Sequence, residues 1–365
     1  METFLRDLAS AQQGQGLETA VMVHQNAPGL PTRKDDQEGV PVLRCRQLGQ
    51  LAYAPLAPTF GLHLGRLART MQPHVVHVHM PNVSGFWALR LPGDHRLVIH
   101  WHSDVTPAPG ERLLASAYRA YRIFERRLLA RADLILATSD AYLASSRPLQ
   151  PMAHKCRIVP LGIDTRRMAA PSQNHLDATR KEYGPAPLIV SAGRFTAYKG
   201  FETLIRAAEA LPEVQVVIAG DGPLHTRLRE LTDRLGLTER VHLPGYLADR
   251  QLHALIAACD VFCLPSIERT EAFGVVLLEA MHYARPLVTT NITGSGVTEV
   301  NKAGTTGLSA AVGDPADLAR QLGQLVSDQA LARAMGKAAR QRLENRYSLE
   351  SVASCIQKLY AQTAS

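Results

Sequence analysis

The chain has 365 residues, enough for two domains of ordinary size, and 46% of them are hydrophobic, the proportion of a globular protein. No run approaches the ~18 uninterrupted apolar residues of a membrane-spanning helix, the opening METFLRDLASAQQ lacks the apolar core of a secretory signal, and five cysteines without disulfide-like spacing fit a reducing cytoplasm. The net charge of +7 favours anionic partners, yet there is no nucleic-acid motif and no basic tract interleaved with aromatics, which leaves phosphorylated substrates and acidic lipid surfaces.

The chain opens on a helical pattern in which Phe4, Leu5 and Leu8 form the apolar face. Strands are predicted at 18–24 (ETAVMVH), 74–80 (HVVHVHM), 96–102 (RLVIHWH), 132–138 (ADLILAT) and 156–162 (CRIVPLG). Between the third and fourth lies a helix over 111–132. It carries Arg112, Arg119, Arg122, Arg126, Arg127 and Arg131 beside an apolar face of Leu113, Leu114, Ala117, Phe124, Leu128 and Leu129. That pattern fits a solvated helix and fits docking on an anionic membrane equally. A break follows at Pro160–Asp164, and the polar stretch from Thr165 to Gly184 with Pro185 leads into a second series. Its strands are predicted at 187–193 (PLIVSAG), 214–220 (VQVVIAG), 240–245 (RVHLPG), 260–265 (DVFCLP) and 286–290 (PLVTT). Helices are predicted at 201–211 and 224–236, then a charged helix at 328–345 and a last one near Leu349–Ala361. The alternation argues parallel sheets with crossover helices, an α/β chain of two doubly wound, Rossmann-like domains. The expected domains are 1–163 and 164–346, with 347–365 as a terminal helix.

The chemistry concentrates in the second series. Glu271 and Glu279 bracket an apolar run with Gly274 near its start. The residues after Ala272 read as a helix N-terminus, whose unpaired N–H groups suit a phosphate. Glu279 lies eight residues beyond Glu271, roughly 12 Å along a helix axis. That span fits a ligand with a polyol at each end and phosphate between, the layout of a nucleotide-sugar. The plainer alternative is a carboxylate on the helix dipole and a solvated Glu. The upstream loop Gly193-Arg194-Phe-Thr-Ala-Tyr-Lys199-Gly200 tips the balance. It follows an apolar strand, where α/β sheets bind ligands, and its two cations suit a diphosphate. No Asp-x-Asp motif at a strand end is present to hold magnesium.

His77 and His79 share one strand face, as do His100 and His102, so each pair could bind zinc or border a polar cleft. Cys259 and Cys263 read as buried thiols. Asp221 in Gly220-Asp-Gly-Pro223 reads as a turn residue, and Gly14-Gln-Gly16 lacks the third glycine of a dinucleotide fingerprint.

Taken together, GRFTAYKG (193–200), AGDGP (219–223), LPGYL (243–247), CLPS (263–266), EAFGVVLLE (271–279) and TGSGVTEV (293–300) resemble the family-4 retaining glycosyltransferases, which have the GT-B fold. HVHMPN (77–82), IHWHSD (99–104), ATSDAYLASS (137–146) and PLGID (160–164) extend the resemblance over the first half. It implies two Rossmann-like domains facing a cleft, with the donor on the second, the acceptor on the first and the last helix crossing back. The implied catalytic residues are His102, Glu271, Arg194 and Lys199. The implied donor-binding residues are Gly193, Arg194, Lys199, Tyr246, Glu271, Phe273, Gly274, Val275 and Glu279. Of these, Glu271 meets the transferred sugar, Glu279 the ribose and Gly245-Tyr246 the base. No metal and no cofactor is implied. The donor is a GDP- or UDP-linked hexose and the acceptor a glycan or lipid-linked glycan. The likeness is greatest to the mannosyl- and rhamnosyltransferases of bacterial surface polysaccharide and lipopolysaccharide synthesis. It implies an enzyme of the cytoplasm or of the inner face of the plasma membrane. Two rival functions use the same residues: a nucleotide-sugar epimerase of GT-B fold, and a non-catalytic nucleotide-sugar-binding subunit. One departure stands out. The family has a strand and a glycine-rich loop ahead of its first helix, whereas this chain begins within that helix. The expectation is that translation starts upstream of Met1 or that the chain is a truncated form; if the chain is native as written, weak or no transferase activity is expected despite an intact donor pocket.

Overall fold

The computed structural model describes residues 2–51, 54–105, 112–168 and 170–362. Met1 and Glu111, which open two of the predicted helices, and the end of the predicted terminal segment, 363–365, lie outside them. The chain divides into two compact units, Met1–Pro160 with Leu349–Ser365, and Leu161–Ser348.

The first unit holds strands β1 (Val21–His24), β2 (Arg33–Gln37), β3 (Val40–Cys45), β4 (Gln50–Leu51), β5 (Ala54–Pro55), β6 (Val75–Met80), β7 (Arg96–Trp101), β8 (Leu134–Ala137) and β9 (Cys156–Ile158). They form a three-stranded sheet in the order β1-β3-β2, a parallel four-stranded sheet in the order β6-β7-β8-β9, and the small pair β4-β5. The hairpin of β2 and β3 was not predicted. β2 is RKDDQ, too charged to carry a strand pattern, and its identity comes from antiparallel pairing with β3. Its two-residue turn, Glu38-Gly39, has positive φ at both positions (57° and 84°), the backbone that tight hairpins require. The helices Glu2–Gly14 and Leu349–Gln362 pack together, with Gln12 donating to the Tyr360 hydroxyl at 3.2 Å and Gln15 to the Ser354 hydroxyl at 3.0 Å.

The second unit is one parallel sheet of β10 (Leu188–Ala192), β11 (Gln215–Ala219), β12 (Val241–Gly245), β13 (Val261–Leu264), β14 (Leu287–Thr290) and β15 (Gly307–Ala310). Its order is β12-β11-β10-β13-β14-β15. β15 (GLSA) was also missed, since two small residues and a serine give no strand pattern. The central strands LIVSA and VFCL are buried at every position, as continuous apolar runs are when helices cover both faces. Leu204, Ile205, Leu228, Leu231, Leu318 and Leu322 from the crossover helices form one core with Ile189, Val216 and Val261. Helix starts follow local chemistry. Asp314 accepts from the amides of Ala316 and Asp317 with Pro315 as the first helical residue, a cap that contributes about 1 kcal/mol. The polar stretch 165–184 at the entry to this unit holds the helix Gln173–Tyr183, tied to the sheet by an Arg180–Asp260 ion pair of 2.8 Å. Strands β10 and β13 are neighbours, yet the chain leaves them toward opposite edges of the sheet. Their junction is the topological switch point, where open α/β sheets hold ligands.

Candidate active site

The loops after β10 and β13 meet at that switch point. The first runs Gly193–Gly200 and the second Pro265–Gly274. Gly200 has φ 68°, and a Cβ there would lie 2.1 Å from the Pro265 carbonyl oxygen, so only glycine lets the loops touch. The contact delivers the Lys199 Nζ to 2.5 Å from Glu271 Oε2. Both side chains are nearly enclosed, 11% and 10% exposed, so their attraction is little screened by water. Ser266 donates to the same Glu271 oxygen at 2.9 Å. The backbone carbonyl of Glu271 accepts from the Ser295 hydroxyl, and that of Ser266 from the Thr290 hydroxyl. The carboxylate is therefore fixed by groups from the ends of three strands. The Lys199 stem packs over Gly193, whose added Cβ would lie 3.2 Å from Cε.

Arg194 is exposed, and its guanidinium has no hydrogen-bond or ion-pair partner among the described residues. It is a fixed cation beside the Lys199–Glu271 pair in sequence, available to an anion. Gly274 (φ 79°) caps the helix Val275–His282, whose first N–H groups have no intrahelical acceptor. A left-handed residue cannot sit inside a helix, so the helix begins after it. The helix predicted to begin after Ala272 begins at Val275, so Glu271 stands in the loop and only Glu279 on the helix, and the spacing of about 12 Å along a helix axis does not apply to the pair. Phe273 is buried with its ring edge-on to Tyr347 at 5.9 Å, a packing contact, whereas Val275 is 37% exposed at the helix start. Burial, and more weakly Asp249, pushes Glu279 up to about 7. Its carboxylate has no hydrogen-bond partner among the described residues. Tyr246 is 78% exposed. It follows β12, and Gly245 accepts the Gly220 amide at 2.8 Å. Asp221 accepts from its neighbour Gly222 at 2.7 Å and pairs with His225 at 2.9 Å, as a turn residue does. Ser266, Ser295 and Thr290 were not singled out from the sequence. A lone hydroxyl residue at a strand end carries no periodic signal, and only the fold gathers three of them.

His102 belongs to the first unit. With His77, His79 and His100 it forms a stack of imidazoles on one face of β6 and β7, with neighbouring rings 4.5–5.2 Å apart and tilted by 11–28°. Phe4 stands edge-on to three of them. His79 Nδ1 lies 2.9 Å from His102 Nε2, and His77 Nδ1 lies 2.6 Å from the Tyr360 hydroxyl. Burial pushes His77 down to about 3 and the other three well below the usual histidine range, so the stack is neutral at neutral pH. Atoms of His77, His79 and His100 approach within 4.8 Å of one another. Metal ligation needs ring lone pairs converging on one point at about 2.0–2.1 Å. Stacked rings direct theirs along parallel planes instead. Cys259 and Cys263 are fully buried thiols, with burial pushing Cys259 up to about 12.

Two α/β units, one of them with a buried Lys–Glu pair and an unpaired arginine at the switch point of its parallel sheet, define an enzyme of the GT-B class. The chain belongs to the group 1 glycosyltransferases: residues 173–342 match the family described as glycosyl transferases group 1, and residues 1–162 match the glycosyl transferase 4-like domain. It is 30% identical over 267 residues to the O-antigen chain mannosyltransferase C of Escherichia coli, a match covering 73% of this chain and 69% of that one. It is 31% identical over 245 residues to the D-rhamnosyltransferase WbpZ of Pseudomonas aeruginosa, covering 67% of this chain and 62% of the relative. Among solved structures, sucrose-phosphate synthase from Thermosynechococcus elongatus superposes with a TM-score of 0.81 at 22% identity, covering 98% of this chain and 92% of that one. HepE of Anabaena in complex with UDP-glucose superposes with a TM-score of 0.78 at 21% identity, covering 99% and 95%. At such identities these two structures speak for the fold alone.

Proposed function

We propose that this glycosyltransferase is retaining and metal-independent, and moves a hexose from a nucleoside-diphosphate sugar to a glycan or lipid-linked acceptor in bacterial surface polysaccharide synthesis. The observation that carries the proposal is the pairing of a buried, carboxylate-locked Lys199 with an exposed, unpaired Arg194 on one short loop at the switch point. Two such cations neutralise a nucleoside diphosphate as it leaves, the task a divalent ion performs elsewhere. The charge they supply is greatest in value when the sugar–phosphate bond breaks. Glu271, held by Lys199 and Ser266, then addresses hydroxyls of the transferred sugar through its other oxygen. Glu279 takes the ribose hydroxyls, and the amides at the start of the helix Val275–His282 face the distal phosphate. His102, kept neutral, positions the sugar and faces positive charge at its reacting carbon. The relatives named for mannose and rhamnose transfer favour a GDP-linked donor and an O-antigen-like acceptor.

The test is a thermal-shift screen of UDP-, GDP- and ADP-sugars, followed by product analysis with the sugar that binds. A donor at a hundred times its Kd adds about 2.7 kcal/mol of stability. Product with the donor's own anomeric configuration, formed only with acceptor present, is the expected result. Release of free nucleotide and an altered sugar without acceptor would identify an epimerase instead. Binding without any product would leave a non-catalytic subunit.

A further inference from the structure

His102 directly follows β7, and its ring is met by another histidine. His79 Nδ1 lies 2.9 Å from His102 Nε2. The two ring planes differ by 24° and the ring centres are 5.2 Å apart. An N–H···N bond of that length made in the plane of both rings sets their centres about 5 Å apart, so these two rings meet edge to edge. The main chain makes a second tie. The His102 amide donates at 2.9 Å to the carbonyl of Met80, the residue after His79. His102 is thus fixed to the end of β6 twice, once by its backbone and once by its ring.

His79 has little freedom of its own. It is 7% exposed and pairs in register with His100. The His100 ring lies 5.1 Å away and the His77 ring 4.5 Å away, with Phe4 edge-on at 6.2 Å. His77 is itself held by the Tyr360 hydroxyl at 2.6 Å. Close packing on these rings leaves the His79 Nδ1 one direction in which to point, toward His102.

The protons in this pair can be counted. Burial keeps both imidazoles neutral. A neutral imidazole carries one N–H and one lone pair, and an N–H···N bond uses one of each. The two tautomers are therefore linked. In one arrangement His79 donates from Nδ1, and His102 keeps its own proton at Nδ1. In the other His102 donates from Nε2 and keeps a lone pair at Nδ1. Only the second leaves His102 electron density to turn toward positive charge on a reacting carbon.

We propose that His79 is the positioning residue of His102: its Nδ1 accepts the Nε2 proton of His102, which fixes the ring and reserves the Nδ1 lone pair of His102 for the transferred sugar. This role rests on the reading of His102 as the residue that faces the sugar. No proton is transferred within the pair. His79 touches no reacting atom and acts through the orientation and tautomer of its neighbour.

The test labels the histidines of the full chain with 15N, because the 15N shift tells a ring nitrogen that bears a proton from one with a bare lone pair. Two variants accompany the wild type. His79→Phe keeps a ring in the packing and removes the acceptor. His79→Asn sets its Oδ1 one bond from Cγ, where Nδ1 stands, and can still accept. In the wild type His102 should be protonated at Nε2 and bare at Nδ1, with His79 bare at Nδ1. In His79→Phe the His102 signals should shift to a mixture of tautomers, and in His79→Asn they should stay. Per folded molecule, kcat should fall about tenfold or more in His79→Phe with the donor KM within about threefold, and His79→Asn should restore most of it. A proton on His102 Nδ1 in the wild type overturns the proposal. Equal losses of turnover and of melting temperature in the two variants make His79 a packing residue and overturn it too. Wild-type turnover in His102→Ala overturns the reading of His102 and the proposal with it. A large loss there, together with an unchanged His102 tautomer in His79→Phe, overturns the proposal alone.

Discussion

Lys199 and Arg194 occupy one loop and differ in what their loss should do. Arg194 is exposed with no partner among the described residues, so Arg194→Ala leaves stability within about 0.5 kcal/mol. Losing one charge-assisted contact to a leaving diphosphate costs about 2–4 kcal/mol of barrier, roughly 30- to 1000-fold in turnover. Steady-state kinetics and a melting curve on the same sample decide it, and unchanged turnover would remove Arg194 from the catalytic set. Lys199 is different, because its partner Glu271 is enclosed. Lys199→Met strands a buried carboxylate, at a cost of about 3–5 kcal/mol. Adding Glu271→Gln should recover most of that stability and none of the activity. If the double variant melts as low as the single one, the pair is not the source of the loss. Glu279 supplies a pH test. Its folded-state pKa is raised by burial to about 7, above its unfolded value, so the stability it confers is present at low pH and is lost as pH rises toward and through 7. Ribose hydroxyls donating to the carboxylate favour its charged form. Nucleotide binding should therefore release protons near pH 6–7 and tighten as pH rises through that window. Calorimetry in buffers of different ionisation heat measures the release, which should vanish in Glu279→Gln; persistence there would assign the proton to another group.

At the scale of elements, the site depends on how closely two loops approach. Gly200 is both the end of the Lys199 turn and the start of the helix Phe201–Ala207, at a φ that strains any side chain. Gly200→Ala must also push the Pro265 carbonyl away. The expected loss is about 2 kcal/mol or more of stability, with a fall in turnover beyond what the lower stability explains, since Lys199 and Glu271 separate. Turnover of the folded fraction equal to wild type would show that the loop contact does not set the pair. By contrast, Gly236 also has a positive φ (66°) but meets nothing within 4 Å, so Gly236→Ala carries the backbone strain alone and leaves activity intact.

At the scale of the whole molecule, the strongest prediction is independence from divalent ions. In the proposed function side-chain cations of the second unit meet the diphosphate, and the rings of the histidine stack in the first unit lie nearly parallel. Full activity in excess chelator is expected. Complete loss, restored by one added divalent ion, would show that a metal does the work assigned here to Lys199 and Arg194. Among the described residues no helix is long and apolar enough to cross a membrane. The helix Arg112–Arg131 does expose Ile123 and Phe124 among its arginines, so sedimentation with anionic vesicles and its loss at high salt measures any surface docking.

The class of fold was legible in the sequence because apolar runs such as LIVSA and VFCL alternate with amphipathic helices, and strand periodicity is local. Gly193, Arg194, Lys199, Gly200, Glu271 and Glu279 stood out for the same reason: each lies in a short segment whose chemistry is unusual on its own. What the segments do to one another was not legible. The Lys199–Glu271 pair spans 72 residues of chain, and Ser266, Thr290 and Ser295 acquire meaning only where strand ends converge. The hairpin strand RKDDQ has no pattern of its own and exists through its partner. Periodicity and composition are set by neighbours in sequence. Pairing, enclosure and hydrogen-bond parity are set by neighbours in space, and those only the folded chain decides.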